Sequence, residues 1–187
     1  VVLLAISDDA VAGFVDAHPK LGDRLCVHFS AGLVLDGVHA LHPLMTFGPE
    51  LYDLETYRRI PFIEDPEGPG FRDVFPALSN AAWPLPRTKR QLYHALCVLA
   101  GNFSTLLWCK AFEDFENRLG LPREVLEPFM AMTWNNTVRS GRSAVTGPLV
   151  RGDLTTVARN LAALEGDPYA EVYRAFASVF ELEEVTG

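Results

Sequence analysis

Residues 84–120, "PLPRTKRQLYHALCVLAGNFSTLLWCKAFEDFENRLG", constrain the fold more than any other stretch. Prolines open it and Thr88 is placed to cap a helix. No proline then interrupts the chain before Gly120, a stop signal. One long helix is the expected outcome. From Leu92 to Trp108 it is apolar nearly all round, which predicts a helix buried on several sides. Further helices are expected in "LPREVLEPFMAMTWNNTVRSG", with Pro122 near the first turn, and in "TGPLVRGDLTTVARNLAAL", after a break, with Asp153 as cap. A last one is expected in "DPYAEVYRAFASVFELEEV", capped by Asp167 with Pro168 at the first helical position.

Ahead of the long helix the pattern changes. "VVLLAI" is a continuous run of strand formers, as expected of a strand buried on both faces in a parallel sheet. "DDAVAGFVDAHP" reads as a helix capped by Asp8 or Asp9, with Val11, Phe14 and Val15 as its apolar stripe. "RLCVHFSAG" is a second strand and "GVHALHPL" a third, shorter one, while "EDPEGPG" is a loop between late sheet elements. Strand, helix, strand, turn, strand is the rhythm of an open α/β sheet. Ligands of such sheets sit outside the carboxyl ends of the strands. Ser7-Asp8, Ser30-Ala31-Gly32 and His42-Pro43 each follow a strand, so all three could line one crevice. The chain is therefore expected to divide near residue 83, into an α/β part, 1–83, and an all-helical part, 84–187.

Composition narrows the function. A formal net charge of −8 argues against a general nucleic-acid surface, which needs a basic stripe. The three cysteines, Cys26, Cys97 and Cys109, form no C-x-x-C pair and read as reduced thiols, not a disulfide frame or a zinc site. No uninterrupted apolar run reaches the roughly 18 residues of a membrane span. The opening run is too short, and lacks the basic flank, for a signal peptide. A cytoplasmic protein without a metal, nucleic-acid or membrane partner is the expectation.

Several polar residues stand out. His28, in mid-strand, reads as a packed core histidine. His42 ends a strand and is held by the proline after it; it either borders a site or satisfies a backbone carbonyl in a turn. On the long helix, His94 and Asn102 lie about 12 Å apart along the axis and about 80° around it if the helix is regular. They could touch two parts of one ligand, or Asn102 could hydrogen-bond a neighbouring helix. Gly101 beside it suggests close approach of a ligand or of another backbone. Lys89 lies about 140° from His94 on such a helix and reads as solvated. In "TGPLVRGD", Gly147 and Pro148 set a turn and Asp153 a cap, which leaves Arg151 free to clamp a carboxylate or phosphate.

"VVLLAISDDAV", "VHFSAG", "LHPLMTF", "KRQLYHALCVLAGNFSTLL" and "TGPLVRGDLTTVARNLAAL", in this order, resemble a family of Rossmann-like bacterial proteins with a helical C-terminal domain of unknown function. The resemblance covers almost the whole chain. More distantly, the family is similar to ketopantoate reductase, pyrroline-5-carboxylate reductase and the 6-phosphogluconate dehydrogenase group. The His-Pro pair is similar to one bordering the substrate in prephenate dehydrogenase. The resemblance implies an α/β partial Rossmann-like sheet followed by an all-α domain built on a long helix. It also implies NADP or NAD as cofactor, a homodimer, and a small carboxylate-bearing carbonyl, imine or hydroxyl substrate. His94 and Asn102 would then be catalytic. His42, Arg151 and Thr146 would bind substrate, and Ser7, Asp8 and Ser30 would border the cofactor. Two departures qualify this. The reductases often carry Lys-x-x-x-Asn on the long helix, whereas Lys89 here is followed by Tyr93. Family members also open with a strand and a Gly-x-Gly-x-x-Gly turn that holds the pyrophosphate. This sequence contains no such turn and begins where the family's fourth strand would be. Either it represents part of an oxidoreductase, or it is a short non-catalytic relative that serves as a dimeric ligand-binding module.

Overall fold

The structure, a computed structural model, describes residues 1–186, with side chains to residue 180. It forms two compact units, Val1–Ala111 and Phe112–Gly187.

The first unit holds a five-stranded sheet in the order β1 (Val2–Leu4), β2 (Cys26–His28), β3 (Val38–Pro43), β4 (Phe62–Glu64), β5 (Ala82–Pro84). All neighbouring pairs are parallel except β3 and β4. The α/β, Rossmann-like fold class is thus as the sequence implies. β2 is buried at all three positions because apolar layers cover both faces. On one side Leu4, Cys26 and Val38 pack with Val11 of α1 (Asp8–Ala17). On the other, Val27 and Leu41 pack with Phe71 of α3 (Phe71–Val74). Between them in sequence lies α2 (Leu54–Arg59), capped by Asp53, whose carboxylate accepts from Thr56 N at 2.6 Å.

Three local expectations are corrected here. β1 is an edge strand: Leu4 is buried but Leu3 is exposed, so it is not covered on both faces. β3 is the longest strand rather than a short one, because its second half gains β4 as an antiparallel neighbour. Neither Asp8 nor Asp9 caps α1; Ser7 occupies the cap position without a side-chain bond, and Asp8 turns instead to Ser30.

After β5 the chain makes a short 3-10 turn, Arg87–Lys89, and enters α4 (Arg90–Cys97). A π-helical segment, Val98–Phe103, follows and leads into α5 (Ser104–Asn117), inside which the division between the units falls. Thr88 does not cap this helix; it lies within the 3-10 turn. The helix is also not buried on several sides: Leu92, Leu96, Leu99, Phe103 and Leu106 are each at least half exposed. By length and composition the stretch Arg87–Asn117 could cross a membrane, with a mean hydropathy of 1.4 in its most apolar window. Its first turns are instead fastened to the sheet by charged and polar side chains, as described below.

The second unit contains α6 (Glu127–Ser140), α7 (Leu154–Ala163) and α8 (Tyr169–Thr186). Asp153 caps α7 as its position suggests, accepting from Thr156 N at 3.0 Å and from Thr156 Oγ1 at 2.7 Å. Asp167 accepts from Tyr169 N at the start of α8. Arg118 bridges Asp114 and Asp167 at 2.9 and 3.1 Å, and Leu126, Val157 and Ala170 are buried.

Candidate functional site

The carboxyl ends of β1, β2 and β3 lie side by side because the three strands are parallel and in register, with Leu4 opposite His28 and His28 opposite Ala40. Whatever follows each strand is delivered to one edge of the sheet. After β1 comes Asp8, whose carboxylate accepts a short hydrogen bond from Ser30 Oγ in the loop after β2. Ser30 Oγ also accepts from Leu33 N at 3.0 Å, and Ser30 N donates to His28 Nδ1 at 3.2 Å. His28 is buried, in keeping with a core histidine. Burial lowers its pKa against the opposing pull of Asp65, and Arg90 adds to the lowering.

The start of the long helix comes down onto this edge. Gln91 Nε2 donates to Gly32 O at 2.9 Å. His94 lies directly over Gly32: a Cβ at that position would come within 2.9 Å of His94 Nδ1. Glycine is required there by close approach, since any side chain would displace the imidazole. From the residue before His94, Tyr93 OH lies 2.7 Å from His42 Nδ1, with the rings edge to face at 5.6 Å between centroids. Burial drives the pKa of His42 down to about 4; neighbouring Arg90 and His94 act in the same direction, and Asp8 opposes them. At neutral pH His42 is therefore an uncharged imidazole. The Tyr93 hydroxyl is pushed up by burial and by the neighbouring Cys97 side chain.

Below this layer, Asp65 anchors the helix to the sheet. Its carboxylate meets Arg90 Nη2 at 2.9 Å and Nε at 3.2 Å, and accepts from Ala40 N at 3.1 Å. Arg87 Nε lies 3.3 Å away, an ion pair without hydrogen-bond geometry, while Arg87 Nη2 donates to Val38 O at 3.1 Å. Arg90 is completely buried and Asp65 nearly so. Arg87 Nη1 also pairs with Asp36 at 3.7 Å, and the buried Arg90 guanidinium depresses both histidines.

Of the residues singled out from sequence, Asp8, Ser30, His42 and His94 are brought together at this edge. Ser7 stands exposed at the head of α1. Asn102 is exposed and lies in the π-helical segment, with no helix-to-helix hydrogen bond among the described residues. A π turn takes up one more residue than an α turn, which closes its angular offset from His94 from about 80° to roughly 20°. Gly101 has nothing near its missing side chain, so close backbone packing does not explain it. Thr146 and Arg151 belong to the second unit and are exposed, Arg151 two residues before the Asp153 cap.

Sequence reasoning passed over Tyr93, Arg90 and Asp65. Tyr93 had a signal in the Tyr-His pair. Asp65 sat in a stretch whose prolines and glycines read only as loop.

An open hollow of about 510 Å³ in the second unit, lined by Leu161, Glu165, Asp167, Ala170, Glu171 and Arg174 among others, contains none of the sequence-derived candidates. Of its charged side chains, Arg174 pairs with Glu171, and Asp167 pairs with Arg118 outside the lining. Among the described residues no cluster of His, Cys, Asp and Glu could hold a metal ion.

Comparison with solved structures finds the same fold in proteins of low identity. "Putative NADP oxidoreductase BF3122" from Bacteroides fragilis matches with a TM-score of 0.78 at 21% identity, covering 95% of this chain and 73% of its own. Protein TM1727 from Thermotoga maritima matches with a TM-score of 0.73 at 23% identity, covering 97% of this chain and 76% of its own. No curated protein matches the sequence. Residues 66–179, which run from the loop after β4 through the long helix to α8, match the family model for the Domain of unknown function DUF2520, and the chain belongs to that family.

Proposed function

We propose that this chain carries the substrate side of an NAD(P)-dependent oxidoreductase acting on a small carboxylate-bearing carbonyl, imine or hydroxyl compound. The observation that supports it most is the meeting of Asp8, Ser30, His42 and His94 where three parallel strands end and the long helix begins. A fold of this class binds its ligands at that edge.

The residues fit only part of a dinucleotide. Asp8 and Asp9 open α1, where they oppose a pyrophosphate rather than receive it. Ser7, Asp8 and Ser30 suit hydroxyl or amide groups of the cofactor. Bound NAD(P) would supply the hydride. The chain's own residues would manage proton and substrate. His94, exposed above Gly32, would give or take the accompanying proton. Asn102, on nearly the same side of the helix, would orient a substrate oxygen. His42 would border the substrate, and in the second unit Arg151, with Thr146 near it in sequence, would be a carboxylate-binding residue. A second copy of the chain would cover the apolar side of the long helix.

The test is a screen of small hydroxy, oxo and imino acids with NADPH and NADH. With any substrate found, His94→Ala should lower turnover at least ~100-fold, the lower range for a general acid or base, while NADPH affinity measured by fluorescence stays within about twofold. Unchanged turnover in that variant overturns the assignment of His94. The acidic start of α1 favours one alternative, a non-catalytic ligand-binding module. Absence of any NADPH binding, with substrate-like acids still bound, would select it.

A further inference from the structure

We infer that Tyr93 is a positioning residue that fixes His42 as the tautomer protonated on Nε2, so that His42 presents a hydrogen-bond donor and the site recognises an oxygen acceptor on its ligand. The inference rests on the oxidoreductase reading for what the ligand is, but not for the state of the ring.

Three observations carry it. First, Tyr93 OH and His42 Nδ1 are 2.7 Å apart, from a helix and a strand that are 51 positions apart in sequence. Second, the other group that could draw the Tyr93 proton is the Cys97 side chain, one turn along the helix, whose influence raises the pKa of the hydroxyl. A hydroxyl has one proton to give, and an imidazole nitrogen is a far better acceptor than sulfur. The O–H therefore goes to Nδ1 rather than to the sulfur. Third, the buried side-chain atoms lacking a partner among the described residues are His39 Nδ1, Arg87 Nε and Arg90 Nη1. Nε2 of His42 is not among them, and no described residue bonds it. It is thus free and reached by solvent. The order then runs from Tyr93 O–H to His42 Nδ1, leaving Nε2–H outward.

The electrostatic surroundings keep this donor neutral. Arg90, His94 and His28 all oppose a charge on the ring, and Asp8 alone favours one. A neutral N–H donor suits a carbonyl or carboxylate oxygen. It does not suit an ammonium group or a metal ion, either of which needs the lone pair.

The experiment is nitrogen-15 NMR of the histidine rings in the intact chain at pH 7, without cofactor or substrate. The wild-type His42 ring should show Nδ1 unprotonated and Nε2 protonated. Tyr93→Phe, which keeps the ring and removes only the hydroxyl, should release it into a mixture of tautomers with His42 titrating closer to an ordinary histidine. Cys97→Ala should leave the Nε2–H form in place. An Nδ1–H tautomer in the wild type overturns the inference, even if Tyr93→Phe fails to fold. A folded Tyr93→Phe protein with an unchanged ring does so too. Because the ring is read without turnover, failure of the oxidoreductase reading leaves this result standing, and the reverse also holds.

Discussion

His42 couples the site to stability. Its folded pKa of about 4 lies below the unfolded value of 6.5, so the unfolded chain takes up the proton more readily. The sign follows: the full contribution is present above pH 6.5 and is lost as pH falls from 6.5 towards 4. A shift of this size is worth roughly 2–3 kcal/mol after allowance for partial exposure of the ring. His28, also lowered, acts in the same direction. Urea midpoints at pH 7.5 and 4.5 should therefore differ less in His42→Gln than in the wild type. Equal differences would show that His42 is not held in its neutral form by folding.

At the scale of elements, the join between β4 and α4 is the most heavily constrained. Breaking a buried ion pair from one side costs about 3–5 kcal/mol, because the remaining charge has no water to return to. Arg90→Met should lower stability by that amount in urea unfolding, since Asp65 keeps only Ala40 N and the poorly aligned Arg87. The double variant Arg90→Met/Asp65→Leu should recover part of the loss. A loss below about 1 kcal/mol in the single variant would mean that the pair is dispensable. This join also shows where sequence reading succeeds and where it stops. The first three strands, the Asp153 cap and the long helix each have a local signal: an apolar run, a cap three residues before its partner, a stretch without proline; β4 and β5, three residues each, have none. The partners of His42 and Arg90 do not. Tyr93 meets His42 and Asp65 meets Arg90 only through tertiary packing, and nothing in the spacing of "EDPEGPG" announces a buried carboxylate. The π turn was equally hidden, because nothing in "VLAGNF" separates it from a regular helix. The burial of the long helix was misjudged for a related reason: hydrophobicity tells that a face needs covering, not whether this chain covers it.

At the scale of the molecule, that uncovered face leads to an expectation about assembly. Leu92, Leu96, Leu99, Phe103 and Leu106 form an exposed apolar series along the helix, more than a monomer usually leaves to water. A two-fold dimer with these faces in contact is expected, since a symmetric pairing closes on itself. Light scattering should give twice the chain mass, and the melting temperature should fall on dilution. A monomer whose melting is independent of concentration would rule this out. The clasp of Asp65 and Arg90 has a consequence of another kind, for how such chains can be recombined. A boundary drawn after β5, at the change from strand to helix, separates a buried acid from the base that neutralises it. It also parts His42 from Tyr93. A helical module exchanged between relatives at that point would arrive carrying an orphaned guanidinium and leave behind an orphaned carboxylate. Positions 65 and 90 therefore form one heritable character, and relatives that have lost one of the two residues should have lost the other.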